Sequence, residues 1–120
     1  MSEYVITLPA LPSMVGIARH AVTVIVGDAA VADDAARIVS ELATNAVLHA
    51  ARGNGSVFVL NIVELEGALR IAITGPTPTL NWSGSGGDFG RGLVIVDALA
   101  AKWGTDVHED GVTWWAELAR

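Results

Sequence analysis

Apolar positions change period along this chain, and the changes mark its elements. Tyr4-Val5-Ile6-Thr7-Leu8 is β-branched and aromatic and is stopped by Pro9 and Pro12, which predicts a short first strand. Met14, Ile17, Ala18, Ala21 and Ile25 then recur at helical steps. A helix is expected from Ser13, which can cap it, to Val26, with Gly27-Asp28 closing it. A second helix follows. Asp33 and Asp34 favour its start through the macrodipole, and Arg52-Gly53-Asn54-Gly55 is a strong stop. Ser56 to Glu64 and Ala68 to Thr74 alternate in the manner of strands and read as an antiparallel hairpin about Gly67. Gly75 to Gly92 breaks every period and reads as the one long irregular segment, a feature that usually carries function. Leu93 to Ala101 is a third helix, apolar nearly all round. Lys102 to Thr105 begins a strand, His108 to Gly111 turns, and Val112 to Leu118 is the last strand.

The order β-α-α-β-β-α-β-β predicts an α+β two-layer sandwich. Its 120 residues fit a single domain spanning 1–120, and no internal repeat is visible. The 52% hydrophobic and 17% charged composition belongs to a globular chain. With a net charge of −6, direct nucleic-acid binding and an anionic membrane surface are both disfavoured, whereas a basic protein partner is allowed. No cysteine is present, which excludes disulfides and thiolate metal sites. No apolar run is long enough to span a membrane, and the opening residues do not read as a secretory signal, so a cytoplasmic location is expected.

The second helix carries the first candidate chemistry. Glu41 and Asn45 are four residues apart and share a face. An amide oxygen can ligate a hydrated Mg²⁺, and a neighbouring carboxylate can act as a base. A plainer reading fits the same pattern. Asp34, Arg37, Glu41, Asn45 and Arg52 form one polar stripe, opposite Val39, Leu42, Ala43, Ala46 and Ala50, as on any amphipathic surface helix.

The second candidate is Ser83-Gly84-Ser85-Gly86-Gly87-Asp88-Phe89-Gly90-Arg91-Gly92-Leu93, which opens into the third helix. Glycines and the free N–H groups of a helix start suit an anion, although a flexible surface loop has the same composition. The spacing is neither that of a P-loop nor that of a dinucleotide-binding fingerprint.

Together these segments resemble the GHKL family, which includes the ATPase domains of histidine kinases and type II topoisomerases. Glu41-Leu42-Ala43-Thr44-Asn45-Ala46-Val47-Leu48-His49-Ala50 resembles its N-box. Gly90-Arg91-Gly92-Leu93, followed by Val96-Asp97-Ala98-Leu99-Ala100, resembles its second glycine box. Arg19 and the final Gly111-Val112-Thr113-Trp114-Trp115 strand are similar to the stand-alone branch of anti-sigma-factor serine/threonine kinases. The resemblance implies a Bergerat-type sandwich, its mixed, mainly antiparallel sheet carrying three helices on one face. It implies ATP and Mg²⁺ in a cleft between helices and sheet. Asn45 would ligate the metal, and Glu41 would serve as general base or water organiser. His49 and Ala50 would line the ribose or phosphate region. Gly90, Arg91, Gly92 and Leu93 would form the lid hinge, and Thr113 would reach the adenine side.

One departure stands out. The family's first glycine box opens with an Asp at a strand end that accepts from the exocyclic amine of adenine. Here Thr74, followed by Gly75, is taken to stand against the base in its place. Losing such an acceptor weakens adenine recognition by ~1–3 kcal/mol. Two functions follow. One is an ATP-dependent regulator that phosphorylates or sequesters a protein partner, a sigma factor or an antagonist, in a branch whose stand-alone members often pair as homodimers. The other is a non-catalytic protein-binding module with a decayed nucleotide site. Outside these motifs, His20 and His108 read as surface residues. Trp114 and Trp115 must face opposite ways, leaving one of them as a candidate contact surface, and Trp82 falls in the loop.

Overall fold

The computed structural model describes residues 2–50, 56–76 and 87–120, the side chains of 87–92 apart. Eight elements follow in the expected order: β1 (Ser2–Pro9), α1 (Ser13–Val26), α2 (Ala29–His49), β2 (Val57–Leu65), β3 (Ala68–Pro76), α3 (Gly87–Leu99), β4 (Lys102–Val107) and β5 (Gly111–Ala119). The strands form one sheet in the order β1-β2-β3-β5-β4, and every neighbouring pair is antiparallel. The fold is the expected α+β two-layer sandwich, with an antiparallel rather than mixed sheet among the described residues.

Alternation decides which face the helices cover. Phe58, Leu60 and Ile62 of β2, Leu69, Ile71 and Ile73 of β3, and Val112, Trp114, Ala116 and Leu118 of β5 are buried. They join Ala18 and Val22 of α1, Ile38, Val39, Leu42, Ala43 and Ala46 of α2, and Val96 of α3 in one core. Successive strand residues point to opposite faces. Arg70, Thr74, Thr113, Trp115 and Glu117 therefore stand on the other face. There the Arg70 guanidinium stacks on the Trp115 ring, 4.4 Å from its centroid. Glu117 pairs ionically with Arg70 at 3.6 Å and with Lys102 at 3.1 Å. The Trp115 indole lies flat over Gly104, where an added Cβ would come within 2.8 Å of the ring. Of the two adjacent tryptophans, Trp115 is thus the outward one, and Arg70 and the Gly104 backbone cover part of it.

Element ends differ from expectation in three places. Pro12, not Ser13, holds the N-cap position of α1, without a side-chain cap bond. Asp28 caps α2, its Oδ1 accepting from the Ala30 N–H at 3.1 Å, so this residue opens the second helix rather than merely closing the first. The third helix begins at Gly87, six residues before Leu93, and ends at Leu99. Glycine is a poor helix former, which hid this first stretch from the pattern. With β3 extending to Pro76, residues 75, 76 and 87–92 leave the irregular segment. The rest of it, residues 77–86 with Trp82, lies outside the described residues, as does the stop signal at 51–55.

Gly111 is where β5 is most tightly held. A Cβ there would run into the backbone carbonyl oxygen of Gly75 on β3, well inside contact distance. Backbone cannot step aside as a side-chain tip can. Gly111→Ala is expected to cost about 1–3 kcal/mol, read as a lower urea midpoint.

Candidate functional site

The C-terminal end of α2 faces the end of β3 and β5, Ala46 against Gly75 and His49 beside Trp114, and α3 also packs on α2. Of the polar stripe read from the sequence, Asn45 leaves solvent altogether. It is only 3% exposed, and its Nδ2 finds no hydrogen-bond partner. The helix buries an unusually wide arc because it packs on the sheet, on α1 and on α3. Asn45 stands on that arc beside Ile38 and Leu42, whereas Arg37 is exposed and Glu41 half-buried at its edge. A buried amide donor without a partner costs about 1–3 kcal/mol. Such a group calls for a partner, whether an ordered water, an ion or a ligand.

His49 lies one turn beyond Asn45, half-buried, its ring 5.6 Å from that of Trp114 and tilted by 30°. Ala50 is the C-cap residue of α2. Burial pushes the His49 imidazole below its ordinary value of 6.5. Protonation therefore costs more in the folded chain than in the unfolded one. The corresponding stability is present above pH 6.5 and is lost as pH falls below it through the lowered folded value. Melting curves between about pH 7.5 and about pH 5 should show a steeper fall for the wild type than for His49→Gln.

Across from α2, the helix-facing residue at the end of β3 is Gly75, not Thr74. A Cβ on Gly75 would lie 3.2 Å from the Ala46 Cβ and 3.4 Å from Cζ3 of Trp114. Thr74 points to the opposite face, where its Oγ1 lies 2.8 Å from Oγ1 of Thr113. Thr113 Oγ1 is in turn 3.1 Å from Nε2 of His108. Two expectations are corrected here. Neither Thr74 nor Thr113 presents its side chain to the cleft between helices and sheet, because one-residue alternation turns both away. The inward positions are Gly75 and Val112, and Trp114 fills the space between them and α2.

The glycine box falls inside α3. Gly90, Arg91 and Gly92 belong to its first two turns, and Leu93 is half-buried just beyond. Only the first four N–H groups of a helix lack an intrahelical acceptor, so the Arg91 and Gly92 amides are engaged within the helix rather than held in a loop hinge. Nearby, the Trp103 indole N–H donates to Asp97 Oδ1 at 2.8 Å, tying α3 to β4. On the far side of α2, Arg19 donates to Ser40 Oγ at 3.1 Å and so joins α1 to α2.

A metal ion would find a sparse donor set. No group of three or more His, Cys, Asp or Glu side chains suited to a metal exists among the described residues. That sparseness fits Mg²⁺, which keeps several waters and takes most of its remaining oxygens from phosphates. Asn45 and Glu41, one turn apart on α2, offer one amide and one carboxylate as oxygen donors, and Gly75 offers no side-chain acceptor. No described helix is long and apolar enough to cross a membrane.

No family model matches the chain, nor does any curated protein sequence. Solved structures do match. The crystal structure of the RsbU and RsbW domains of Rv1364c from Mycobacterium tuberculosis superposes with a TM-score of 0.78 at 17% identity, over 99% of this chain and 32% of that one. The histidine kinase domain of the blue-light activated histidine kinase from Erythrobacter litoralis EL346 superposes with a TM-score of 0.59 at 20% identity, over 92% of this chain and 61% of that one. This chain thus spans about a third of the first and under two thirds of the second. At these identities the likeness is one of fold: the chain shares the fold of these two domains, here a five-stranded antiparallel sheet with three helices against it.

Proposed function

We propose that this protein is a nucleotide-binding regulator of the anti-sigma kinase type. It would hold Mg-ATP against α2 and act on a protein partner, phosphorylating it or sequestering it in the control of transcription. One observation supports the reading: the Asn45 amide is 3% exposed with no partner for its Nδ2, on the α2 segment whose sequence resembles the N-box. A bound metal-triphosphate would supply the transferable phosphoryl group and the charge that the site neutralises. Asn45 would orient the metal through its side-chain oxygen, leaving Nδ2 to donate to a phosphate oxygen. Glu41, one turn earlier on the same face, is the candidate acceptor for the proton of a partner's serine or threonine hydroxyl. His49 would line the ribose or phosphate region, and the N–H groups at the start of α3 would face phosphate. A sigma factor or its antagonist is the partner class, with a cytoplasmic location and a possible homodimer following from the same role.

The second reading, a protein-binding module without nucleotide, is favoured by Gly75, which supplies no side chain to hold adenine. Calorimetry separates the two. Heat on adding Mg-ATP that disappears in Asn45→Ala supports the regulator. Silence at millimolar nucleotide removes it in favour of the bare module.

A further inference from the structure

The helices cover one face of the sheet, and the other face is not built like a wetted one. Where an antiparallel sheet has one face in water, its strands alternate apolar inward with polar outward. On β2 the inward positions are Phe58, Leu60 and Ile62, yet the outward ones are Val57, Val59, Asn61 and Val63. Val57 is 46% exposed, and Val5, on the same face of β1, is 60% exposed. The register lines these outward positions into rows across all five strands. The middle row runs Val5, Asn61, Ala72, Trp115, Gly104 and carries no charge. On one side of it the row is Glu3, Val63, Arg70, Glu117, Lys102, whose charges alternate in sign and cancel. Glu3 accepts from Asn61 Nδ2 at 2.8 Å, and Glu117 pairs with both Arg70 and Lys102. The row on the other side, from Thr7 through Val59, adds only Asp106. These rows therefore hold a net charge of −1 in a chain that carries −6.

We propose that this open sheet face is where two copies of the chain meet, sheet on sheet, as a symmetric dimer. The proposal does not depend on nucleotide binding. Charge selects the occupant. Copies of an acidic chain repel one another wherever their charge is concentrated, and a face near neutrality is where they can approach. A basic partner is drawn instead to the acids on other elements: Asp28, Asp33 and Asp34 at the start of α2, and Glu109 and Asp110 between β4 and β5. The area agrees. Five strands about 4.8 Å apart, each about eight residues long at about 3.4 Å per residue, present roughly 600 Å². Two copies would bury about 1,200 Å² in all, the lower end of the range for stable complexes. The valines and Trp115 then form an apolar centre, and the row from Glu3 to Lys102 forms a polar border, the usual division of an interface.

The test is sedimentation equilibrium of the intact chain, without nucleotide, from about 1 to about 200 μM. The wild type is expected to dimerise with a dissociation constant in the micromolar range. Val5→Lys combined with Val57→Lys should raise that constant by about a hundredfold or more, because like charges then meet across a contact that excludes water. The two lysines also reduce the net negative charge, so general repulsion weakens and cannot account for dissociation. Val24→Lys on α1, 66% exposed, should leave the dimer intact. Both face valines are exposed, so the double variant should keep the wild-type circular dichroism spectrum. If it does not, Thr7→Lys, exposed on the same face, takes its place. A wild type that stays monomeric at about 200 μM overturns the proposal and leaves the face to a different chain. A dimer that survives the lysines overturns it too, since the copies then meet elsewhere, as does a dimer that Val24→Lys dissolves equally.

Discussion

Trp114→Ala should cost this protein more stability than any other single truncation. The side chain is fully buried, the largest such residue in the core. It packs between Gly75 of β3 and His49 of α2, and its cross-strand neighbours are Ile73 and Thr105. Removing it leaves a cavity where α2 meets the sheet, and neither backbone can collapse far, since the ladder fixes one and the α1 and α3 contacts fix the other. Large aromatic truncations of this kind cost about 3–5 kcal/mol. Against a total of about 5–15 kcal/mol for a domain, that is roughly a fifth or more of the stability. The urea midpoint should fall by about 2 M. Trp114→Phe, which keeps most of the volume, should lose well under half as much. An equal loss in both variants would mean that the indole N–H, and not its bulk, is what the fold requires.

Asn45→Leu is expected to move stability the other way. The two side chains share one branched four-heavy-atom skeleton, leucine being the bulkier, and the substitution replaces a buried amide whose Nδ2 has no partner by apolar surface among Ile38, Leu42 and Ala46. Relief of that desolvation should raise the melting temperature of the ligand-free chain by about 4 °C, the equivalent of about 1 kcal/mol. The same variant should lose the upward shift that Mg-nucleotide gives the wild type, because ligand stabilisation scales with affinity. Opposite signs in the two measurements are the mark of a residue kept for binding at a cost to the fold. A residue kept for packing would give a lower melting temperature and an unchanged nucleotide shift.

Most elements were legible because the sheet has one covered face. Alternation in Ser56 to Glu64 and Ala68 to Thr74, and the helical steps from Met14 to Ile25, mark where β2, β3 and α1 run. What the chemistry needs is finer than that. On a strand, an error of one residue exchanges the two faces. Matching Thr74 to a strand-end carboxylate placed a hydroxyl in the cleft that in fact belongs to the outer face. The corrective signal was present in the sequence: Leu69, Ile71 and Ile73 are the apolar set, and counting on by two reaches Gly75. The same count along Val112, Trp114, Ala116 and Leu118 turns Thr113 outward.

Asn45 was hidden for a different reason. A helix with one packing partner buries a single stripe, and on that assumption Asn45 falls with Glu41 and Arg37 on the wet side. Because α2 touches the sheet and both other helices, its dry arc widens by about one residue position and takes in Asn45. Sequence periodicity reports the number of buried residues well, but the number of neighbours only through the fold. The early start of α3 escaped because glycines at 87, 90 and 92 carry no apolar period at all.

The side-chain amide of Asn45 can be followed directly by ¹⁵N–¹H NMR, with its signal assigned by its loss in Asn45→Ala. On titration with Mg-ATP this NH₂ pair should shift and saturate together with the calorimetric heat, as a buried donor gaining a phosphate acceptor does. If resonances elsewhere saturate while the Asn45 pair stays fixed, the nucleotide binds away from α2 and the site built around that amide is wrong.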